Sequence, residues 1–430
     1  MAGRAVVMAD DTLFLLLEGY GWLPALRRRA PGEVARTRLL GRRAVAICGP
    51  DAARFFYEDD GIRRGPAPPH LVRSTHFVRG TGQNLDGITR EARRAMFLPV
   101  LHGDAAADLV SRAAAAWDEA VPRWGAEPSV VLFDRVAQVL ATAAYGWAGL
   151  EPPEHETPKV AADLVAMAEG YATLGPRHWR ARAARRRRAA ALAHLVRRAR
   201  AGVVAVRRGT AADAVIRHRD RDGALLNPRV AAFELLNVLR ATVAVSWWVT
   251  FAAHALHRWP SHRGPLGDND TGYIEAFVHE LRRFYPFAPF FGGRAVRDLS
   301  FRGEPIPEGT LVLLDVFGQH HDPALWEEPY VFAPERFAGP RPGPYELIAQ
   351  GGGDPALGHR CVGEAVTVEL LKTLVPRLAT LDYRVPGQDL SVSPWRIPAR
   401  VASGFVMTDV RQAVPAPVPE TVPDVRRARG

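Results

Sequence analysis

The stretch Gln350–Glu364, QGGGDPALGHRCVGE, holds one of only two cysteines in the chain between a glycine-rich loop and an apolar helical run, Ala365 to Val375. A lone cysteine at a loop-to-helix junction can be held as a thiolate by backbone N–H groups and the helix dipole. With His359 and Arg360 beside it, Cys361 suits a thiolate that ligates a metal. Taken alone, the segment suits a buried structural cysteine equally well. The rest of the chain decides between them.

Around that stretch lie 430 residues, 47% hydrophobic and 24% charged, the composition of a globular protein with ample core. No Ser/Gly-rich linker cuts the span from Val100 to Tyr285, so one large domain is expected over residues 1–410, with a disordered tail at 411–430. Cys48 and Cys361 give no disulfide framework. Thr12 to Leu17 is too short to cross a bilayer or to form a full signal-peptide core. The expectation is a soluble, cytoplasmic protein with no transmembrane segment. Its formal charge of +10 is carried almost wholly by arginine, since Lys159 and Lys372 are the only lysines. The densest run, Arg177 to Arg200, has Leu192, Leu195, Val196, Ala199 and Val203 at helical spacing behind it. It reads as the solvated face of an amphipathic helix. No aromatic-interleaved recognition motif accompanies it, so no nucleic-acid partner is expected.

Hydrophobic periodicity predicts a mainly α protein with small β-sheets. A short helix is expected over 11–19, a strand pair around 38–48 and a helix from Asp51 to Tyr57. A helical region from 88 to 146 is expected to break at Pro99 and Pro122, and a second from 159 to 201 to break at Gly175-Pro176. Pro228 to His257 is predicted as one long apolar helix crossing the core, followed by a helix over 272–284. Short strands are expected at 291–296, 299–301 and 310–315. The helix leaving Cys361 leads into strand-like segments near 381–385 and 404–408.

Glu280 and Arg283 fall i, i+3 on one helix, in VHELRRFYPF, and PERF follows at Pro334 to Phe337. The order Glu-x-x-Arg, then PERF, then a glycine-rich loop running to a single cysteine resembles the cytochrome P450 superfamily. That resemblance implies a single-domain fold, a triangular prism of helices around a buried haem. It makes Cys361 the proximal thiolate ligand of the iron, and Glu280, Arg283 and Arg336 a structural triad behind it. Conventional members carry a phenylalanine seven positions before the cysteine and a glycine four before. Asp354 and Leu357 stand there in this chain. QGGGD followed by GHRC-x-GE instead resembles the bacterial fatty-acid peroxygenases of the superfamily. So do FYEDDGIRRGPAPP from Phe56, GQNLDGITREARRAMF from Gly82, NVLRATVAV from Asn237 and RRFYPFAPF from Arg282.

The likeness implies a haem b enzyme that uses hydrogen peroxide to hydroxylate fatty acids at Cα or Cβ, with minor decarboxylation and no required redox partner. The distal segment Phe233–Phe251 lacks the acid–alcohol pair that conventional members use to protonate bound oxygen; it carries Arg240. In the peroxygenases the matching arginine binds the substrate carboxylate, which then acts as acid and base. Arg240 is followed by Ala241 where the family usually has proline, a change that restores a backbone N–H and favours a straighter helix. Gln83 matches a position beside the haem where glutamine goes with hydroxylation and histidine with alkene-forming decarboxylation. Arg64, Arg93 and His359 are implied as holders of the haem propionates. Phe77, Val78, Phe287 and Phe290 are implied as lining for the acyl channel. His320-His321-Asp322 reads as a structural loop and not a metal site. A conventional oxygen- and redox-partner-dependent monooxygenase, a mainly decarboxylating enzyme and a non-catalytic haem-binding protein remain the alternatives.

Overall fold

A computed structural model of the chain describes residues 9–64, 87–150, 154–170, 173–220, 222–355 and 360–412. Helices α1 (Thr12–Glu18) and α2 (Trp22–Arg29) lead into strands β1 (Ala35–Leu39) and β2 (Arg42–Ile47). Helix α3 (Pro50–Glu58) and strand β3 (Ile62–Arg63) follow. Helices α4 (Gly87–Leu101) and α5 (Gly103–Gly125), strand β4 (Val130–Val131) and helices α6 (Leu132–Ala148), α7 (Thr157–Glu169), α8 (Pro176–Arg200) and α9 (Ala211–Arg217) build the helical body. Next come α10 (Pro228–Val243), α11 (Val245–Arg258), α12 (Arg263–Gly267) and α13 (Thr271–Phe284). Strands β5 (Phe290–Ala295), β6 (Leu299–Phe301), β7 (Glu304–Ile306) and β8 (Leu311–Asp315) precede the short helix α14 (Val316–His320). Helix α15 (Glu364–Ala379) and strands β9 (Leu381–Arg384) and β10 (Val406–Gln412) end the described chain.

The helices are longer than the proline positions suggest. Pro99 and Pro122 both sit inside helices, α4 and α5, although an interior proline costs a helix about 3 kcal/mol or more. The break falls instead at Gly103, whose φ of +56° is a conformation that glycine adopts without a Cβ clash. Burial of Val100, Leu101, Val121 and Trp124 around the prolines offsets their cost. The expected core helix over 228–257 is two helices, α10 and α11, interrupted at Ala244. The interruption is therefore present with alanine at 241. The stretch Pro228–Arg258 is long and apolar enough to cross a membrane by length and composition, but 78% of its most apolar window is buried inside the protein, as in a core helix.

One five-stranded sheet has the order β1-β2-β8-β5-β3. β2 and β8 run parallel, with Ala44 opposite Leu311 and Ile47 opposite Leu314, while the other neighbours are antiparallel. Strand periodicity explains why RRAVAI and LVLLD read as nearly unbroken apolar runs. Ala44, Ala46, Leu311 and Leu313 face a cluster with Trp22 and Leu23. Val45, Ile47, Val312 and Leu314 face the opposite cluster, with Phe56 and Ile62. Both faces are covered, so both sets are apolar. A second sheet, β4-β10-β9, fastens the end of the described chain to the helical body. β10 reaches Gln412, so Arg411 and Gln412, expected in a disordered tail, are paired with Asp382 and Leu381. Residues 413–430 lie outside the described set.

Candidate functional site

The cysteine loop is shaped by its glycines. Gly351 and Gly353 have φ of +102° and +85°, left-handed conformations that strain any residue with a Cβ. Gly352 is required by space: a Cβ there would lie 3.0 Å from the Tyr345 ring and 3.2 Å from the Tyr57 ring. The loop is closed by hydrogen bonds from Gly351 N to Ile348 O (2.9 Å), Gly353 N to Pro344 O (3.0 Å) and Cys361 N to Gln350 O (2.9 Å). Cys361 then stands just before α15, whose first amide, Glu364 N, donates to its carbonyl at 3.2 Å.

Cys361 keeps part of its surface accessible, yet protein encloses its sulfur closely. Burial pushes the thiol pKa up and the Glu364 charge adds to the rise, outweighing the Gly363 amide and the guanidinium groups of Arg94 and Arg282, which pull it down. A thiol raised in this way keeps its proton until a bound cation displaces it. Two arginines share one carboxylate next to it. Arg282, 1% exposed, pairs with Glu364, and Arg360 grips the same carboxylate at 2.5 and 3.0 Å. These charges hold Glu364 ionised, its pKa lowered against a burial effect that raises it.

The expected triad is assembled. Arg283 meets Glu280 in a fork of two 2.7 Å bonds, and Arg336 Nε lies 3.1 Å from the same carboxylate. Arg283 Nη1 also donates to the carbonyls of His320 (2.7 Å) and Pro329 (2.8 Å). The Ala333 amide donates to Glu280 Oε1 at 2.9 Å. The fully buried charges therefore have matched partners, as burial demands. His320 Nε2 accepts the Ile348 amide at 3.1 Å, bracing the segment that opens the cysteine loop. His321 Nδ1 is 3.0 Å from Phe317 O. Each ring thus has a structural duty, and no group of three His, Cys, Asp or Glu able to hold a metal occurs among the described residues.

Arg240 is buried in the last turn of α10, one turn before the interruption at Ala244. Its helical neighbours are Leu236, Asn237, Val243 and Ala244. Glu234, the sole acid between Pro228 and Arg258, is held by Arg93 Nη1 at 3.0 Å. Thr242 Oγ1 donates to Val238 O at 3.1 Å and Thr250 Oγ1 to Ser246 O at 2.8 Å, so these two alcohols bond within their own helices, whereas Ser246 Oγ is buried without a hydrogen-bond partner among the described residues.

Other expected site residues divide. Arg93 departs from the propionate role: its guanidinium forks onto Asp220 at 2.8 and 2.9 Å and reaches Glu234, bracing α4 against α10 and the α9–α10 connection. Its neighbour Arg94, which sequence reading passed over, reaches the cysteine segment, with Nη2 2.8 Å from Arg360 O. Arg64 stacks over Tyr57, 5.3 Å from the ring centroid, and Tyr57 in turn packs on Gly352. Phe287 lies against Trp248 of α11, with centroids 5.1 Å apart, whereas Phe290 packs edge-on to Trp22 at 6.0 Å in the N-terminal cluster. Gln83, Phe77, Val78 and His359 lie outside the described residues.

These residues fit a haem. The donor set offers one soft ligand, Cys361, which suits a group that would bring its other iron donors with it. Arg94 Nε and Gln350 Oε1 are buried without a hydrogen-bond partner among the described residues. A buried arginine nitrogen so placed suits the carboxylates that such a macrocycle carries. Cys361 would ligate the iron, and Arg94, bonded to Arg360 O, and Arg64, stacked on Tyr57, are guanidinium groups near the loop that could receive the carboxylates.

Comparison with known proteins agrees with this chemistry. Residues 269–378 match the family model for cytochrome P450. Cytochrome P450SP alpha (CYP152B1), solved in complex with (R)-ibuprofen, is 38% identical, with 94% of this chain and 99% of that chain covered at a TM-score of 0.89. A variant of cytochrome P450 OleT, solved with arachidonic acid, is 30% identical, with 95% and 99% covered at a TM-score of 0.91. The mitochondrial cytochrome P450 4e5 of Drosophila mettleri is 28% identical over 164 residues, 34% of this chain and 31% of that protein. The chain thus spans about a third of the length of the curated relatives it matches.

Proposed function

The chain belongs to the CYP152 fatty-acid peroxygenase family of cytochromes P450, and from that membership we propose that it hydroxylates fatty acids at Cα or Cβ with hydrogen peroxide, needing no redox partner, while Arg240 binds the substrate carboxylate. Haem b, when bound, supplies the iron chemistry that cleaves peroxide and oxidises a C–H bond, with Cys361 as its thiolate ligand.

The observation that carries this reading is the condition of the distal helices. Glu234 is committed to Arg93, and Thr242 and Thr250 to backbone carbonyls of their own helices. Ser246 Oγ is buried without a hydrogen-bond partner among the described residues. Glu234, however, is the sole acid on the two helices, so no acid–alcohol pair forms there and a proton carrier arriving with the substrate fits the site. A carboxylate paired with the buried Arg240 guanidinium supplies it, and a two-point pairing fixes charge and orientation together. Holding the acid at its head places Cα and Cβ nearest the reacting centre and leaves the acyl tail to apolar walls. The carboxylate then accepts and returns the peroxide proton.

The test is incubation of the haem-loaded protein with medium- and long-chain fatty acids and hydrogen peroxide, with products identified by mass spectrometry. The expected products are 2- and 3-hydroxy acids. Arg240→Ala should lower peroxide-driven turnover by at least about 100-fold, the scale of a misplaced substrate, with the thiolate–CO absorbance band retained. Turnover with ferredoxin and its reductase but none with peroxide would overturn the reading.

A further inference from the structure

Helix α1, TLFLLLE, turns Leu15 toward the N-terminal apolar cluster and leaves Leu13, Phe14, Leu16 and Leu17 exposed at 63, 44, 57 and 59%. Gly19, directly after it, packs on the backbone of Pro394 and Trp395 so closely that a Cβ would fall 2.1 Å from Pro394 O. Tyr20 N donates to that same carbonyl at 2.9 Å. The indole of Trp395 is left largely exposed. A few residues on, Ile397 O accepts from Arg177 Nη2 at 3.0 Å, which brings the start of α8 to the same strip. Trp179, in the first turn of α8, is also largely exposed. Two apolar protrusions therefore border one short segment, residues 394–400.

Basic groups lie on and beside the same strip. Arg177, Arg396 and Arg400 gather around the single residue Glu169: Arg400 Nη1 is 2.9 Å from its carboxylate, Arg396 pairs with it, and Arg177 Nη2 donates to its carbonyl at 2.8 Å. The Nε atoms of all three arginines are buried without a hydrogen-bond partner among the described residues. Arg182 stacks over Trp179, 5.3 Å from the ring centroid, and Arg180 is exposed. Positive charge exceeds negative charge here, as it does in the whole chain at +10.

We propose that this face, formed by α1, the start of α8 and the 394–400 strip, docks on the surface of an anionic phospholipid bilayer. Scattered exposed leucines need no explanation, but exposed leucines, a phenylalanine and two tryptophans on elements that meet at residues 394–400 mark a binding surface. Tryptophan favours the interfacial region of a bilayer, and leucine and phenylalanine favour the acyl boundary beneath it. Arginine meets lipid phosphate through forked, charge-assisted bonds, and each basic residue near an anionic leaflet adds attraction. A nucleic acid would use the arginines but would leave the apolar side chains of α1 in water. The charge complementarity and the apolar residues together select lipid.

The test is co-sedimentation of the full-length, haem-loaded protein with vesicles of phosphatidylcholine alone or mixed with phosphatidylglycerol. Binding to the anionic vesicles should be at least about tenfold tighter and should weaken as salt is raised. The triple variant L16S/L17S/W395S alters only exposed positions and should keep its melting temperature while losing about tenfold or more in vesicle binding. Arg180→Glu should weaken binding to anionic vesicles alone. Lipids brominated in the acyl chain should quench fluorescence of the wild type more than of W179F/W395F. Equal binding to neutral and anionic vesicles, unchanged binding by the triple variant, or DNA binding that this variant retains would each overturn the proposal.

Discussion

Glu364 carries more of the site than its place in the sequence suggests. Its carboxylate faces Arg282 and Arg360, and Arg282 is 1% exposed. Glu364→Gln keeps the shape but leaves a buried guanidinium without its anion, which should cost about 3–5 kcal/mol, read as a lowered urea midpoint. Arg341→Ala, which breaks the surface pair with Glu275, should change stability by less than about 1 kcal/mol. At this scale the sequence is legible where partners are close along the chain or belong to a family pattern: Glu280 and Arg283 share one helix face, and PERF supplied Arg336. Arg94 and Arg282 were missed because their contacts, Arg360 and Glu364, lie on other elements far along the chain. Arg93 was misread for the same reason, since Asp220 and Glu234 become its neighbours only after folding.

Among the elements, the glycine loop is the most constrained. Gly353 combines a φ of +85° with the Tyr345 hydroxyl 3.2 Å from where a Cβ would stand. Gly353→Ala should therefore destabilise the protein by about 1–3 kcal/mol and reduce the thiolate–CO band per mole of protein, measured by thermal melting and by reduced-CO difference spectra. The presence of the long helices was visible because apolar residues recur with the helical period. Their ends were less visible. Pro99 and Pro122 looked like breaks, but local burial outweighs the single hydrogen bond each removes. The interruption at Ala244 has no proline or glycine to announce it. The short elements Trp22–Arg29, Ala211–Arg217 and Glu304–Ile306 are too brief to build up a periodic signal.

For the whole molecule, buried neutral histidines set the response to acid. His320 is held well below its ordinary pKa by burial, and His321 is lowered to about 4, chiefly by burial. His254 and His279 are also lowered to about 4 by burial, with Arg258 and Arg282 adding to the effect. The folded state thus binds fewer protons than the unfolded chain once pH drops below about 6.5. The stability these groups contribute is complete above that pH and is lost as pH falls toward 4. For each of the buried His320 and His321 the slope approaches about 1.4 kcal/mol per pH unit. Melting temperatures measured from pH 7.5 down to 4.5 should fall progressively through this window, and His321→Gln should flatten the decline.

The parallel pair β2–β8 joins residues 44–47 to residues 311–314, and this bears on how the chain is made. A ribosome adding about 5–20 residues per second delivers β8 roughly 10–50 s after β2. During that interval the β1–β2 hairpin has emerged with its β2 edge, the one β8 will fill, still unpaired and with apolar side chains on both faces. An open edge of this kind invites pairing with other chains. Nascent chains stalled before Leu311 should therefore aggregate or be held by chaperones, and those stalled beyond Asp315 should be released from that hazard as soon as β8 fills the gap.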